Sequence, residues 1–455
     1  MTASAEKNKQ SVRQIANEIL VKIDTRKAYA DILLDQALRM SGLALRDRAL
    51  LTELTYGTLR WRGTIDARLA GNLSRPLADL DPPIRNLLRL TCYQLFYLDR
   101  IPPFAAVNEA VELAKGFRGH KSAGFVNAVL RSLLRQRGKR NPISSDQSVA
   151  SLAAQYSHPA WLVQRWLGEF GAGVAAAVMR ANNEKPPLVL RANRLKGTRE
   201  ELLARFSNAP IEASATSYSP QGILLPGGGP IDNLPGFAEG LFQVQGEASQ
   251  LIVYLLAPLP QERILDACAA PGGKSTHIAE LMQDGGEIFA VDSSARGIEK
   301  IRQNVARLGL QSVRAIKADV TEDSGELAGA LFDRILVDAP CSGLGTLREH
   351  PEIKWQRTER DIARLSRLQR QILGRVGRHL KPGGIIVYST CTLSRDENER
   401  NVESFLAEHK QFELQEAARY LPDRAKPMVR GQYFQALPHR DNTDGFFAAR
   451  MRKVS

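Results

Sequence analysis

The chain has 455 residues, 43% hydrophobic and 24% charged, the balance of an ordinary globular protein with room for about three domains. No apolar run reaches the ~18 residues of a membrane span, and the start MTASAEKNKQ lacks the apolar core of a secretory signal; the expectation is a cytoplasmic protein with no membrane partner. The net charge of +13 favours a polyanionic partner, and four scattered cysteines (Cys92, Cys268, Cys341, Cys391) with no C-x-x-C pair argue against a zinc knuckle or a disulfide scaffold.

Residues 1–142 read as a helical bundle. SVRQIANEILVKI carries an apolar stripe at Val12, Ile15, Ile19 and Ile23, and further amphipathic segments follow, separated by Gly, Pro and Asp breaks. Pro82–Pro83 and Pro102–Pro103 stand where they favour a helix's first turn. Residues 1–150 hold 24 Lys and Arg against 14 Asp and Glu, a net +10, so most of the excess charge is here. Arg131, Arg135 and Lys139 recur every four residues and, with Arg140, form a candidate stripe for the charges of a polyanion; a solvated charged face is the competing reading.

Residues 143–241 open on the turn-rich NPISSDQS. Helical segments run to about 182, then PPLVLRANRL reads as a strand and GTREELLARFSNA as a helix, a small α+β subdomain. From 242 to 455 strands and helices alternate. ERILDA, EIFAVD, VRAIKAD, FDRILVDAP and GIIVYST are near-continuous apolar strands between amphipathic helices, which predicts an α/β domain with a parallel sheet covered on both faces.

Ligands of such sheets gather at the strands' carboxyl ends. The strand–loop–helix unit LDACAAPGGKS places Cys268, Ala269, Ala270, Pro271, Gly272, Gly273 and Lys274 there, with small residues that let a ligand approach the backbone and a helix N-terminus for a carboxylate or phosphate. GGKST also looks like the end of a nucleotide-binding P-loop, but that motif needs glycine where Cys268 stands, and the dinucleotide spacing G-x-G-x-x-G is absent. Asp266, Asp292 and Asp319 end three successive strands. Together with the loop they suit a nucleoside with a small charged tail, such as S-adenosylmethionine.

Cys341 and Cys391 each follow a strand, in RILVDAPC and GIIVYSTC, and each precedes polar or Gly-rich loop residues. Cys92, inside LLRLTCYQLFYL, reads as a buried inert thiol. A thiolate beside a methyl donor suits one reaction in particular. Carbon 5 of a pyrimidine is a poor nucleophile until a thiolate adds at carbon 6, which splits one hard step into two easier ones. The addition needs a proton at ring nitrogen 3; Asp338, protonated or sharing a proton, is placed for it. Lys274 could pair with the donor's carboxylate or lower a thiol's pKa. Spacing alone does not order the two thiols.

The motifs LDACAAPGGKS, VDAPCSGLGTLREHPEIKW, YSTCTLSRDENE and DGFFAARMRK resemble those of the RNA cytosine-5 methyltransferase family, and the helical N-terminal third resembles the NusB-like RNA-binding domain. The resemblance implies a Rossmann-like seven-stranded methyltransferase fold, S-adenosylmethionine as methyl donor, no metal, and a monomer acting on 16S rRNA or a small-subunit assembly intermediate. It implies Cys391 as the nucleophile and Cys341 as the aid to release. The loop from Cys268 to Lys274, with Asp292, Asp319 and Asp338, would bind the donor or line its pocket. One departure is Gly246 in FQVQGEAS, where relatives usually carry an acid. Two alternatives stay open: the same chemistry on transfer RNA or another RNA, and a non-catalytic RNA-binding assembly factor.

Overall fold

The computed structural model describes residues 10–118, 120–137, 147–227, 230–322 and 325–454. Contacts divide the chain into two units, Met1–Glu184 with Leu347–Gln356, and Lys185–Thr346 with Arg357–Ser455.

The first unit is helical: α1 (Val12–Arg26), α2 (Ala30–Met40), α3 (Leu45–Arg60), α4 (Arg62–Ala70), α5 (Pro82–Tyr97), α6 (Pro103–Arg118), α7 (His120–Arg135), α8 (Val149–Tyr156) and α9 (Ala160–Ala181). Both proline pairs lie at helix starts: α5 opens on Pro82 and α6 on Pro103. The stripe Ile15, Ile19 and Ile23 of α1 packs into a core with Leu51 and Leu54 of α3, Leu87 and Leu88 of α5, and Val126 and Leu130 of α7. Arg89, buried on α5, forms a two-pronged ion pair with Asp66 (2.7 and 2.9 Å).

The segment Leu347–Gln356 belongs to this unit although both flanking stretches belong to the other. Its side chains close backbone groups that the helices leave open. Glu352 accepts Ala30 N–H at the start of α2 (3.1 Å), Trp355 donates to Leu59 O (2.8 Å), and Gln356 to Ala28 O (2.9 Å). Fully buried Lys354 spends its three donors on Arg60 O (2.8 Å), Ser157 O (3.0 Å) and Asn183 Oδ1 (2.9 Å). None of these acceptors is charged, so burial, with Arg60's charge second, pushes its pKa well below the lysine range.

The second unit contains two sheets. The smaller has the antiparallel order β2-β3-β1-β4, from β1 (Leu188–Ala192), β2 (Ser214–Ala215), β3 (Gly222–Leu225) and β4 (Phe242–Val244). Helix α10 (Arg199–Ser207), started by a Thr198–Glu201 capping box, covers it through Leu202 and Phe206.

The larger sheet holds β5 (Arg263–Ala267), β6 (Glu287–Asp292), β7 (Val313–Lys317), β8 (Phe332–Asp338), β9 (Leu380–Thr390), β10 (Phe412–Gln415), β11 (Val429–Arg430), β12 (Tyr433–Ala436) and β13 (Phe446–Lys453). Its order is β11-β12-β13-β9-β8-β5-β6-β7, with β10 also paired to β13. The five neighbouring strands β9, β8, β5, β6 and β7 are parallel, with β7 at the edge, and β13 runs antiparallel beside β9. This is the Rossmann-like methyltransferase arrangement. Nine strands rather than the expected seven are present, because the short hairpin β11–β12 extends one edge. α11 (Glu247–Leu256), α12 (Gly273–Leu281) and α13 (Ala295–Leu308) cover one face through Leu251, Ile278 and Ile298. The helices Glu359–Val376 and Glu399–Glu408 cover the other through Leu373 and Phe405. Two covered faces explain why the central strands lack polar alternation. Among the described residues no helix is long and apolar enough to cross a membrane.

Candidate active site

Because β9, β8, β5, β6 and β7 are parallel neighbours in that order, their carboxyl ends line up. They set Cys391, then Asp338 with Cys341, then the loop 268–274, then Asp292, then Asp319 along one edge. The sequence motifs, up to 123 residues apart by number (Cys268 to Cys391), converge there.

The loop after β5 turns through a left-handed Cys268 (φ 65°) and Gly272 (φ 96°). A Cβ on Gly272 would also meet Ile301 Cα at 3.3 Å, so glycine answers both the backbone angle and the close approach. α12 starts at Gly273 without a side-chain cap, leaving first-turn N–H groups for a carboxylate. Asp292 orders the loop: its Oδ2 accepts Ala270 N–H (3.0 Å) and its Oδ1 accepts Ser294 N–H (2.8 Å). Asp319 Oδ1 accepts the hydroxyl and N–H of Thr321 (2.7 and 2.9 Å), and these bonds hold its pKa below the usual carboxylate range. An uncapped helix start for a carboxylate, with acids at the next two strand ends for hydroxyl or amine donors, is a donor set that fits S-adenosylmethionine.

Lys274 points into the site: its Nζ lies 2.5 Å from Asp338 Oδ2 and 5.3 Å from the centre of the Phe446 ring. Asp338 is accordingly half of an ion pair, an arrangement in which it can share a proton with Lys274. Its Oδ1 accepts Ser389 Oγ–H (2.9 Å).

The two thiols meet. Cys341 Sγ and Cys391 Sγ are 3.3 Å apart, both half-buried. Cys341's pKa is pushed well above the thiol range, first by its hydrogen bond to Cys391, then by burial and by the charges of Cys391 and Glu397. Cys268 is likewise raised, by burial and then by Asp292 and Asp338. Cys92 is buried in the helical unit and raised to about 12. Both therefore stay as thiols at neutral pH.

Glu397 had no role in the sequence reading, yet it joins the two thiol loops. It is fully buried. Oε1 accepts Ser342 N–H (2.8 Å) and Gln369 Nε2–H (3.0 Å); Oε2 accepts Ser342 Oγ–H (2.5 Å) and Thr392 Oγ1–H (3.4 Å). Ser342 and Thr392 each directly follow a site cysteine. Burial raises its pKa against those bonds. Gly345 N–H donates to Cys391 O (2.9 Å), and a Cβ on Gly345 would lie 2.1 Å from Gly445 O, so only glycine lets these loops touch. The one clue in sequence was that Glu397 and Gly445 sit inside the quoted motifs. Gly246 starts α11, where a Cβ would stand 3.2 Å from Asp444 Oδ2; an acid there would face a second carboxylate.

Arg131 and Arg135 are exposed on α7 of the helical unit, opposite the buried Val126, Leu130 and Leu133; Lys139 and Arg140 lie outside the described residues.

Comparison with known proteins agrees with this architecture. The model of the family described as "16S rRNA methyltransferase RsmB/F" matches residues 253–452, that of the NusB family matches 10–135, and that of the "Methyltr_RsmF/B-like, ferredoxin-like domain" matches 158–232. The chain is 40% identical over 447 residues to the "Probable ribosomal RNA small subunit methyltransferase B" of Bacillus subtilis (strain 168), covering 98% of this chain and 99% of that protein. Among solved structures, PH0851 superposes with a TM-score of 0.84 at 27% identity, over 98% of this chain and 99% of that one. NSun6 from Pyrococcus horikoshii, solved with SFG, superposes with a TM-score of 0.58 at 26% identity, over 65% of this chain and 98% of that one.

Proposed function

This chain belongs to the 16S rRNA methyltransferase RsmB/F family, and from that premise we propose that it methylates carbon 5 of a cytosine in 16S rRNA through a covalent cysteine–cytosine adduct. The observation that carries the reading is the pair of thiols 3.3 Å apart beside a loop suited to the methyl donor.

Cys391 attacks carbon 6 of the cytosine as a thiolate, and ring nitrogen 3 takes up a proton. The Lys274–Asp338 ion pair supplies the donor for that nitrogen: an ammonium fixed by a carboxylate can protonate the ring and recover the proton later. S-adenosylmethionine would be held by residues 268–273, Asp292 and Asp319, and would supply an electrophilic methyl group for the activated carbon 5. The carbon 5 proton then leaves to solvent, the sulfur–carbon 6 bond breaks with its electron pair returning to Cys391, and nitrogen 3 gives its proton back to Lys274, which frees the product. Cys341 assists this release. What supports a shared role is the 3.3 Å contact, through which the Cys341 thiol can donate a hydrogen bond to a Cys391 thiolate; the order of the two follows the family resemblance. The cytosine must leave any helix to reach such an edge, so a single-stranded or extruded base is the substrate.

The test is incubation with labelled S-adenosylmethionine and 16S rRNA, naked or in small-subunit particles, followed by nucleoside analysis. 5-Methylcytosine is expected in the 16S rRNA. Label in transfer RNA instead would move the reading to another substrate, and label at any other atom would end it.

A further inference from the structure

The smaller sheet of the second unit reaches the donor loop through one side chain. Arg191 on β1 is fully buried, and each of its five N–H donors finds an acceptor. Nε and Nη2 make a two-pronged pair with Glu280 Oε2 and Oε1 (3.2 and 2.6 Å). Nη2 also donates to Thr276 Oγ1 (3.1 Å). Nη1 donates to Gly273 O (2.7 Å) and to Gln245 Oε1. Gly273, Thr276 and Glu280 are the first, fourth and eighth residues of α12. Gln245 lies just past β4, and its side-chain amide is 3.8 Å from where a Gly273 Cβ would be.

A buried Arg–Glu pair alone adds little, because a well-packed apolar pair of similar volume is often as stable. The grip on Gly273 O is what the pair does not account for. It fixes the peptide group next to the left-handed Gly272, in the turn whose N–H groups are free of a side-chain cap. A lysine has three donors on one nitrogen, too few for these five contacts and without the fork that meets both Glu280 oxygens. The neighbouring His277 does not compete for these acceptors: among the described residues neither ring nitrogen has a partner, and burial, then Arg191's charge, holds it neutral.

We infer that Arg191 is a positioning residue for S-adenosylmethionine: the smaller sheet uses it to hold the Gly272–Gly273 turn of the larger domain in its donor-binding shape. The inference rests on the donor assignment and is independent of the order of the thiols.

The test uses the full chain with two variants, Arg191→Lys and the double variant Arg191→Met/Glu280→Leu, which replaces the whole pair by apolar groups. S-adenosylmethionine binding is measured by calorimetry without RNA, folding by thermal melting, and turnover against donor concentration. The double variant is expected to melt cooperatively yet bind the donor roughly tenfold more weakly or worse. Arg191→Lys should raise the donor KM while kcat at saturating donor stays within about twofold. Wild-type donor affinity in a folded double variant would overturn the inference. If the double variant does not fold, an unchanged donor KM in Arg191→Lys overturns it equally. A wild-type chain that itself binds no donor would instead remove the donor assignment.

Discussion

Cys341 Sγ and Cys391 Sγ lie 3.3 Å apart at the carboxyl ends of the adjacent parallel strands β8 and β9. At that distance one base can be reached by both, and the two roles separate by single substitutions. Cys391→Ala is expected to lower turnover by roughly three orders of magnitude or more and to abolish the covalent RNA complex. Cys341→Ala should still form the complex but release it slowly, so that protein–RNA adduct accumulates on a denaturing gel. The opposite pattern would assign attack to Cys341.

Glu397 ties the two loops that carry those thiols, through Ser342 and Thr392. Glu397→Ala leaves Ser342 N–H and the Gln369 amide without their acceptor in a buried place, a loss of about 2–3 kcal/mol in stability. It should also lower kcat about a hundredfold with donor affinity unchanged, because misplaced thiols affect chemistry and not donor binding. Glu397→Gln can still accept at Oε1, and its amide can donate to Ser342 Oγ, so most of the activity should return. Equal losses in both variants would point to a proton-transfer role for the carboxylate instead.

The parallel sheet was legible in the sequence because its strands β5, β6, β8 and β9 are mostly buried on both faces and read as near-continuous apolar runs, while β7 at the edge is only partly buried. The edge of acids and thiols followed from where those runs stop. Contacts made by side chains across long separations were not legible. Arg191 looks like any strand arginine until β1 is set against α12, and nothing local marks Glu397 as a buried acceptor rather than a surface acid. Lys354 shows the same limit, since HPEIKW reads as a charged loop and its lysine is fully buried among carbonyls. The contact between Lys274 and Asp338 was likewise not legible, because it depends on β8 lying next to β5.

Asp266, fully buried beneath the donor loop, has its pKa raised to about 7, by burial against the bond from Ser275 Oγ (2.5 Å); its Oδ1 has no hydrogen-bond partner. The unfolded chain releases this proton near pH 3.8, whereas the folded chain keeps it to about 7. Its contribution to stability is thus full below the lower value and lost as pH rises through the window. The loss is of the order of 4 kcal/mol. Asp266→Asn removes the titration, so the difference in melting temperature between variant and wild type should grow in the variant's favour from pH 4 to pH 8. Parallel profiles would show that Asp266 does not titrate there.

Arg131 and Arg135 present two cations on the exposed face of α7. If they meet RNA phosphates, each contact releases counterions, and the logarithm of affinity falls with the logarithm of salt by about 0.7 per contact on single strands. Arg131→Gln/Arg135→Gln is expected to weaken 16S rRNA binding and flatten that slope by about 1.4, with donor affinity unchanged. A slope equal to wild type would leave the stripe as a solvated face.

Lys274 Nζ and Asp338 Oδ2 form a 2.5 Å pair between the donor loop and the loop that leads to Cys341. The proposed chemistry gives this pair the proton that makes carbon 6 electrophilic, so its loss should act before methyl transfer. Lys274→Met removes the proton source and also leaves Asp338 without its counter-charge. It should abolish the covalent complex as well as turnover, while the thiols remain chemically present. Asp338→Asn keeps the ammonium and removes the group that fixes it. Complex formation should then be slowed roughly a hundredfold rather than lost. The ordering discriminates, because a lysine that served only to hold the methyl donor would leave adduct formation intact in donor-free RNA mixtures. Adduct yield in Lys274→Met without donor is therefore the deciding measurement; a wild-type yield would return Lys274 to the donor site and leave Asp338 as the proton source for nitrogen 3.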